Sequence, residues 1–220
     1  MLTKDYFAFF AALSKNNTRE WFEAHKNEFT KNVKKPFEEL VAKIIAEIQS
    51  IDPELDTTVK ASVFRIYRDV RFSKDKTPYK THMSAHITHG ERAETGPAGL
   101  YFEVNANGGA IGGGIYQPSK EQLVLVRDLI MHEGPALHKL IRAKTFLSHY
   151  PNGLVGEKNK ILSAEFKQAA LKEPLIYNKQ YLWWADVPSS LFTTSDTAKV
   201  VAGYYRAAKP VSDFFAKALG

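Results

Sequence analysis

The middle of the chain reads Ser62-Val-Phe-Arg-Ile-Tyr-Arg-Asp-Val-Arg-Phe-Ser-Lys-Asp-Lys-Thr-Pro-Tyr-Lys-Thr-His82. From Lys60 to Lys80 there are seven Lys or Arg residues and two acids, which gives a net charge of +5. Because the whole chain of 220 residues carries only +6, its other residues are nearly balanced in charge. The basic character therefore belongs to residues 60–80, which we call the basic segment.

The first half of the basic segment has the alternation of a β-strand, in which successive side chains point to opposite faces of a sheet. One predicted face is apolar apart from Arg68 and carries Phe64, Ile66, Val70 and Phe72. The opposite, mainly polar face carries Val63, Arg65, Tyr67, Asp69 and Arg71. The pattern predicts a strand with one face in the core and one face available for a site.

The cations of the basic segment suit an anionic ligand, because Arg binds phosphate or carboxylate bidentately and Lys supplies a mobile point charge. We predict a cationic pocket for a small phosphate- or carboxylate-bearing ligand. The predicted ligand-binding residues are Arg65, Tyr67, Arg68, Arg71, Lys76, Tyr79 and Lys80. Whether the pocket also catalyses a reaction is left open. The catalytic candidates are Asp69 and His82, the latter as a general base, since the unperturbed pKa of His is about 6.5.

Two other functions fit the same residues. The basic segment could be the electrostatic footprint of a nucleic-acid-binding module. Alternatively, Asp69 pairs with Arg65 or Arg71, and the Arg–Asp network only fixes the fold of a structural or adaptor protein without catalysis. The sequence identifies no cofactor and does not decide the oligomeric state.

Three further patterns are incomplete as functional motifs. His82, His86 and His89 form a cluster, but on a strand His89 points away from the other two, so no metal site is predicted. Asp69 and Glu103 resemble part of a metal-dependent nuclease site, yet no x-Lys follows Glu103. The run Gly108-Gly-Ala-Ile-Gly-Gly-Gly114 matches no nucleotide-binding loop. It predicts a hairpin turn and a strand with room for another backbone or a ligand.

The composition is ordinary for a soluble globular protein, with 44% hydrophobic and 25% charged residues. Because Cys is absent, disulfides, thiolate metal sites and a Cys nucleophile are excluded, which fits a reducing cytoplasm. The first residues do not resemble a secretory signal, and no run reaches the ~18 apolar residues that span a bilayer. We therefore expect a cytoplasmic protein without a membrane partner.

Periodicity and capping patterns predict one α+β domain over residues 1–220. Residues 1–52 are predicted helical, with helices from Thr3 to about Lys15, from a capping box of Asn17 and Glu20, and from Pro36 to Asp52. The last of these helices has an apolar stripe at helical spacing, formed by Phe37, Leu40, Val41, Ile44, Ile45 and Ile48. Residues 59–116 predict an antiparallel meander of about four strands: the basic segment, Thr81–His89, Leu100–Asn105, whose side chains alternate, and Ala110–Tyr116. Residues 119–220 are predicted mainly helical. The first helix starts at Ser119 and ends at Gly134-Pro135, and the later helices are Ala136–Ala143, Ala164–Leu171 and Thr197–Ala218. An edge strand is predicted at Tyr181–Ala185. Helices from both chain ends are predicted to pack on the sheet.

Three stretches carry a resemblance to a known family. They are Phe64 to Thr81, Asn16-Asn-Thr-Arg-Glu-Trp-Phe22, and Tyr101 to Pro118 with its Gly-Gly-Gly-Ile-Tyr-x-Pro ending. They resemble a widespread bacterial and fungal family of conserved hypothetical proteins, domain-of-unknown-function family 2461. The resemblance runs from about Tyr6 to the final helix and is weaker in the last third, where Glu173-Pro174-Leu-Ile-Tyr177 replaces an expected Pro-Lys-Gly-type turn. It implies a single-domain intracellular protein and implies no activity.

Overall fold

The protein contains a four-stranded antiparallel sheet. The structure is a computed structural model that describes residues 1–89 and 99–219. Across the sheet the strands follow the order β1 (His82–Ile87), β2 (Leu100–Asn105), β3 (Gly108–Ile115) and β4 (Tyr181–Pro188). A tight turn joins β2 to β3, where the side-chain oxygen of Asn105 accepts hydrogen bonds from the N–H groups of Asn107 and Gly108 at 2.8 and 3.2 Å. The predicted hairpin and the predicted α+β class are both confirmed.

Helices precede and follow the sheet, as predicted. Before it come α1 (Lys4–Lys15), α2 (Arg19–Ala24), α3 (Lys26–Glu28), a π-helical turn (Phe29–Lys34), α4 (Lys35–Gln49) and α5 (Val59–Ser62). After β3 come α6 (Lys120–Ile141), α7 (Lys144–Leu147), α8 (Ala164–Lys172), a 3₁₀ turn (Pro174–Tyr177), then β4, a second 3₁₀ turn (Ser189–Thr193) and α9 (Thr197–Leu219). Over the part of the chain that the structure describes, no helix combines the length and apolar character that crossing a bilayer requires.

The first of two compact units comprises residues 1–89, Tyr101–Ile111 and Asp186–Gly203. Its core lies between α1, α4 and one face of β2. The ring of Phe37 on α4 lies 5.4 Å from that of Phe102 on β2, and the hydroxyl of Tyr6 donates to the carbonyl of Val104 at 3.0 Å. The apolar stripe predicted for α4 is buried throughout, at Phe37, Leu40, Val41, Ile44, Ile45 and Ile48. Period-3.6 spacing thus located this helix face correctly.

The second unit comprises residues 99–100, Gly112–Ala185 and 204–219. Its core includes the fully buried rings of Trp183, Phe146, Tyr150, Tyr181 and Phe215. Where β3 runs beside β4, the backbones approach so closely that β3 needs a glycine at position 114. Gly114 has a φ of +114°, and a Cβ there would lie 2.1 Å from the Tyr181 carbonyl oxygen. The room predicted beside these glycines is therefore occupied by another backbone. The single-domain organisation stays a prediction.

The basic segment is not a strand, contrary to the prediction. After α5 the described backbone forms two isolated antiparallel bridges here, one from Val63 to Ala85 of β1 and one within the segment, from Tyr67 to Tyr79. Its alternation is partly kept, because Ile66 is 4% exposed, but Phe72, predicted in the core, is 96% exposed. Alternation of residue types therefore predicted the burial of Ile66 correctly, but the predicted burial of Phe72, at the outer end of the segment, was wrong.

The outer end of the segment cannot form a strand because two of its residues offer no backbone N–H group to the facing chain. Pro78 has no N–H group, and the N–H of Thr77 donates to the Asp75 carboxylate at 2.9 Å instead of to the facing chain. A continuous ladder cannot form past this point. The meander over residues 59–116 consequently supplies three strands, and the fourth is β4, which lies at the sheet edge as predicted for Tyr181–Ala185.

Two predicted helix boundaries also change. The N-cap of α2 is Thr18, whose hydroxyl accepts the Trp21 N–H at 3.2 Å, and not Asn17. The helix predicted to close at Gly134-Pro135 is interrupted one residue earlier, at the non-helical Glu133 (φ −116°, ψ 18°). The helix predicted for Ala136–Ala143 follows as the second half of α6, which ends at Ile141. Pro135 is tolerated because it lies in the first turn after the kink, where a missing N–H costs no helical hydrogen bond.

Candidate functional site

An open groove of about 310 Å³ lies between α2 and the basic segment, within the first unit. It is lined by Arg19, Glu23, Tyr67, Arg68, Val70, Pro78 and Tyr79. Three of the predicted ligand-binding residues, Tyr67, Arg68 and Tyr79, thus share one surface. We call this surface the groove.

Asn17 holds the two walls of the groove together. Its side-chain Nδ2 donates to the Tyr79 carbonyl at 2.9 Å, and its Oδ1 accepts the Tyr79 N–H at 3.1 Å. One amide side chain therefore satisfies both backbone groups of Tyr79, as a neighbouring strand would do. Because Asn17 directly precedes the N-cap of α2, these bonds fix the start of α2 against the basic segment.

Three aromatic rings pack together at one side of the groove, and two of them, Tyr67 and Tyr79, line it. Phe22 of α2 and Tyr79 are stacked, with ring centroids 4.0 Å apart and planes at 18°, and both are almost fully buried. Tyr67 lies at the outside, 5.4 Å from the Tyr79 ring, and 48% of it is exposed. Burial raises the pKa of Tyr79, so this phenol stays neutral at physiological pH.

Arg68 is held at one end of its guanidinium only. Its Nη1 donates to Asp75 Oδ2 at 2.5 Å, to the Thr77 carbonyl at 3.2 Å and to the Thr77 hydroxyl. Its Nε and Nη2 form no hydrogen bond to any residue that the structure describes. The Nε–Nη2 edge is one of the geometries with which Arg binds a carboxylate or phosphate bidentately. The fixed end orients the guanidinium, and the open edge is available to a ligand.

Two carboxylates of the basic segment are stabilised in their charged form. The Thr77 N–H, followed by the Arg68 guanidinium, lowers the pKa of Asp75 to about 2. The Arg71 guanidinium, followed by the Arg71 N–H, lowers the pKa of Asp69 to about 2. Both carboxylates are therefore ionised at neutral pH, where they act as hydrogen-bond acceptors that shape the loop.

We expect the contacts of Asp75 to make stability dependent on pH in the acid range. The folded-state pKa of about 2 lies below the ordinary value of 3.8, so this stabilisation is complete above about pH 4 and is lost as the pH falls through about 2. Asp75→Asn keeps an oxygen acceptor but does not titrate. The melting temperature of the wild type should exceed that of Asp75→Asn at pH 6, and the difference should narrow as the pH falls from about 4 to about 2.

The matched control for this experiment is Asp56→Asn. Asp56 is exposed and forms no hydrogen bond with the residues that the structure describes. Because Asp56→Asn breaks no hydrogen bond of the described chain, its melting temperature should stay close to that of the wild type. A constant difference between wild type and Asp75→Asn over the same interval would contradict the assigned role of Asp75.

Two other predicted ligand residues contact the basic segment itself. Arg71 forms a bidentate pair with Asp69, with Nη2–Oδ2 and Nε–Oδ1 distances of 2.7 and 3.0 Å, and its side chain is 77% exposed. Lys76 donates from Nζ to the Val70 carbonyl at 2.9 Å. These contacts agree with a structural role for part of the positive charge. Neither cation lines the groove, and their ligand-binding roles stay predictions.

The last two predicted ligand residues also lie outside the lining of the groove. Lys80 places its Nζ 4.9 Å from the centroid of the Phe64 ring, a cation–π distance. Arg65 is exposed and forms no hydrogen bond or ion pair with a residue in the described part of the chain. It acts on Asp69 only as a nearby positive charge. Their binding roles likewise stay predictions.

The two catalytic candidates, His82 and Asp69, are also absent from the lining of the groove. His82 begins β1, with its Nε2 3.6 Å from Glu103 Oε2, and Glu103 accepts the Tyr101 hydroxyl at 2.6 Å. Burial lowers the pKa of His82, while the negative charge of Glu103 opposes this shift. The imidazole is therefore neutral near pH 7 and able to accept a proton, but both catalytic roles stay predictions. Within residues 1–89 and 99–219, no group of three or more His, Asp or Glu side chains is placed to hold a metal ion.

Sequence reasoning missed the α2 side of the groove, which is formed by Arg19 and Glu23. A signal was available, because Arg19 lies inside the stretch Asn16 to Phe22 that carries part of the family resemblance. Local sequence does not show that this stretch contacts Tyr79, which is 62 positions away from Asn17. The two hydrogen bonds of Asn17 and the stacking of Phe22 on Tyr79 show this contact in the structure.

Comparison with known proteins gives one match. The model of a family described as conserved hypothetical protein (DUF2461) matches residues 5–214 of the 220-residue chain. The chain therefore belongs to this family, and the resemblance noted in the sequence is confirmed. No curated protein and no solved structure matches the chain.

Proposed function

We propose that this member of the DUF2461 family binds a small phosphate- or carboxylate-bearing ligand in the groove between α2 and the basic segment. The observation that carries the proposal is the state of Arg68. Its Nη1 is fixed by Asp75 and Thr77, while its Nε–Nη2 edge has no hydrogen-bond partner among the described residues. An oriented guanidinium with an open edge suits a planar carboxylate or a phosphate.

Arg19 supplies the second guanidinium of the groove. It is exposed and forms no hydrogen bond or ion pair with a residue of the described chain. The charge of Arg68 is partly neutralised by Asp75, and the carboxylate of Glu23 is paired with Lys26 at 3.0 Å. Arg19 interacts with the neighbouring Glu20 only as a nearby charge. Of the two guanidinium groups, it is therefore the one that forms no ion pair in the described chain. We infer that it supplies most of the long-range attraction for an anion, and that Arg68 supplies the orientation.

Calorimetric titration should separate Arg19 from the other basic residues. We expect at least one small phosphate or carboxylate compound to raise the melting temperature of the protein at fixed ionic strength. Arg19→Ala should weaken binding of that compound about tenfold, through loss of one charge-assisted hydrogen bond. Because Arg19 forms no hydrogen bond or ion pair in the described chain, the variant should keep the stability of the wild type.

Arg206→Ala is the matched control. It removes the same charge from an exposed position on α9, outside the lining of the groove. Its affinity should equal that of the wild type. If both variants lost affinity equally, the effect would come from net charge and the groove would not be the site. The proposal would also fail if no phosphate or carboxylate compound stabilised the protein at millimolar concentration.

The same titrations separate the other two interpretations. A nucleic-acid surface would be stabilised by every polyanion, and its affinity would fall steeply with salt concentration. A purely structural role would give no response, and the pairs of Arg68 with Asp75 and Arg71 with Asp69 support that interpretation for part of the segment. We propose no reaction, because neither catalytic candidate lines the groove. A cytoplasmic location stays a prediction from composition.

A further inference from the structure

We infer that the ligand of the groove carries a flat unsaturated ring in addition to its anionic group, as nucleoside monophosphates and aryl phosphates or carboxylates do. The inference rests on the proposed function, because the same two guanidinium groups would hold the anionic part. It adds a second recognition element, the exposed ring of Tyr67, and so narrows the class of ligand.

The aromatic rings beside the groove form an incomplete series. Phe22 and Tyr79 cover each other face to face at 4.0 Å, and they are 1% and 3% exposed. Tyr67 contacts both at an angle, with ring centroids 5.4 Å from Tyr79 and 6.3 Å from Phe22. The inner rings are therefore fully used by the fold. The outer ring is attached to them and remains half uncovered.

The described chain does not account for the exposed part of Tyr67. Its hydroxyl forms no hydrogen bond with any described residue, and 48% of the residue is accessible to solvent. This ring lies beside Arg68 in sequence and lines the same groove. Aromatic pairs are favourable at centroid separations of about 4.5–7 Å, and nucleic-acid bases stack on exposed aromatic side chains in the same way. A ring carried by the ligand would continue the series from Phe22 through Tyr79 to Tyr67.

The remaining lining favours the same kind of ligand. Val70 and Pro78 are half-buried and add apolar surface to the lining of the groove. Free phosphate or a sugar phosphate would leave this apolar and aromatic lining in contact with water. A ligand with a flat ring would cover it, which adds hydrophobic burial to the ionic contacts. The volume of about 310 Å³ suits one small molecule of this kind.

Three phosphates that share one anionic group test the inference. Ribose 5-phosphate has no unsaturated ring, phenyl phosphate has a ring next to the phosphate, and adenosine monophosphate has a ring one sugar away. Calorimetric titration of the wild type should show that at least one ring-bearing phosphate binds about tenfold more tightly than ribose 5-phosphate. The ring-bearing probe that binds more tightly also indicates the spacing between the guanidinium groups and the Tyr67 ring.

Two variants of Tyr67 test the role of the ring itself. Tyr67→Phe keeps the aromatic face and should keep the preference for the ring-bearing phosphate. Tyr67→Leu keeps apolar bulk without an aromatic face, and its preference should fall to about twofold or less. Circular dichroism and the melting temperature confirm that each variant is folded. Titration of the wild type with the three phosphates tests the ring preference even if neither variant folds.

The contradicting outcomes are distinguishable. If all three phosphates bound the wild type equally and Arg19→Ala weakened them all, the ring preference would be wrong and the proposed anion site would stand. If none of the three bound, and no other phosphate or carboxylate did, both proposals would be wrong. A ring preference that survived unchanged in Tyr67→Leu would overturn the assignment to Tyr67.

Discussion

Replacing Tyr79 with alanine should lower the free energy of unfolding by about 3–5 kcal/mol, the usual cost of removing a buried aromatic ring. Tyr79 is 3% exposed, stacks on Phe22 and contacts Tyr67. Its removal would leave a cavity under the groove and uncouple α2 from the basic segment. Urea unfolding followed by circular dichroism measures the change, since the slope and midpoint separate stability from compactness.

Phe72→Ala is the control for this prediction. Phe72 lies in the same segment and is also aromatic, but it is 96% exposed, and the Arg71 guanidinium lies 5.9 Å from its ring centroid. Its replacement should change the free energy of unfolding by about 0.5 kcal/mol or less. Equal losses in Tyr79→Ala and Phe72→Ala would mean that Phe72 is in the core. The exposed position of Phe72 at the outer end of the basic segment would then be wrong.

Asn17→Ala should lower the free energy of unfolding by about 1–3 kcal/mol, the cost of leaving partly buried backbone groups unsatisfied. The variant removes both hydrogen bonds to Tyr79, at 2.9 and 3.1 Å, and no other described side chain replaces them. It should also weaken ligand binding, because α2 and the basic segment would no longer be held at a fixed separation. Denaturant unfolding and titration with the same ligand measure the two effects.

Its neighbour offers a matched control of the same residue type. Asn16 is exposed and its side chain donates only to the Ala12 carbonyl at 3.0 Å, one turn back in the same helix. Asn16→Ala should cost about 0.5 kcal/mol or less and should leave affinity unchanged. If Asn16→Ala were as destabilising as Asn17→Ala, the effect would come from the end of α1 and not from the contact with Tyr79.

The parts of the fold that follow from local periodicity were predicted from the sequence. The stripe of α4 and the alternation of β2 describe one face each, and both faces are buried as expected. The hairpin at Gly108 was predictable because its turn residues determine its geometry. In these elements, local preference and tertiary packing agree.

The basic segment shows why the same reasoning failed elsewhere. Its side chains alternate as a strand requires, but alternation says nothing about whether the backbone N–H groups have partners. Pro78 has no N–H, and Thr77 uses its N–H to hold Asp75. The predicted N-cap of α2, Asn17, was wrong for a similar reason. Asn17 and Thr18 are both good N-caps, and a contact with Tyr79, distant in sequence, decides between them.

The candidate site was half predictable. Sequence identified Tyr67, Arg68 and Tyr79, since they lie in the segment that concentrates the charge. It could not tell which cations the chain uses for itself, because the pairs of Arg71 with Asp69 and of Lys76 with the Val70 carbonyl depend on the path of the loop. It also could not place Arg19 in the groove, because that requires the position of α2.

The most direct test of the groove is a heteronuclear NMR titration of the wild-type protein with the phosphate or carboxylate compound that stabilises it most. Side-chain Nε–H signals report on each guanidinium, and backbone amide signals report on each residue of the basic segment. If the groove is the binding site, we expect saturable chemical-shift changes of the Arg19 and Arg68 Nε–H signals and of the Tyr79 amide signal. Saturable shifts elsewhere, with these three signals unmoved, would contradict the assignment of this groove as the binding site.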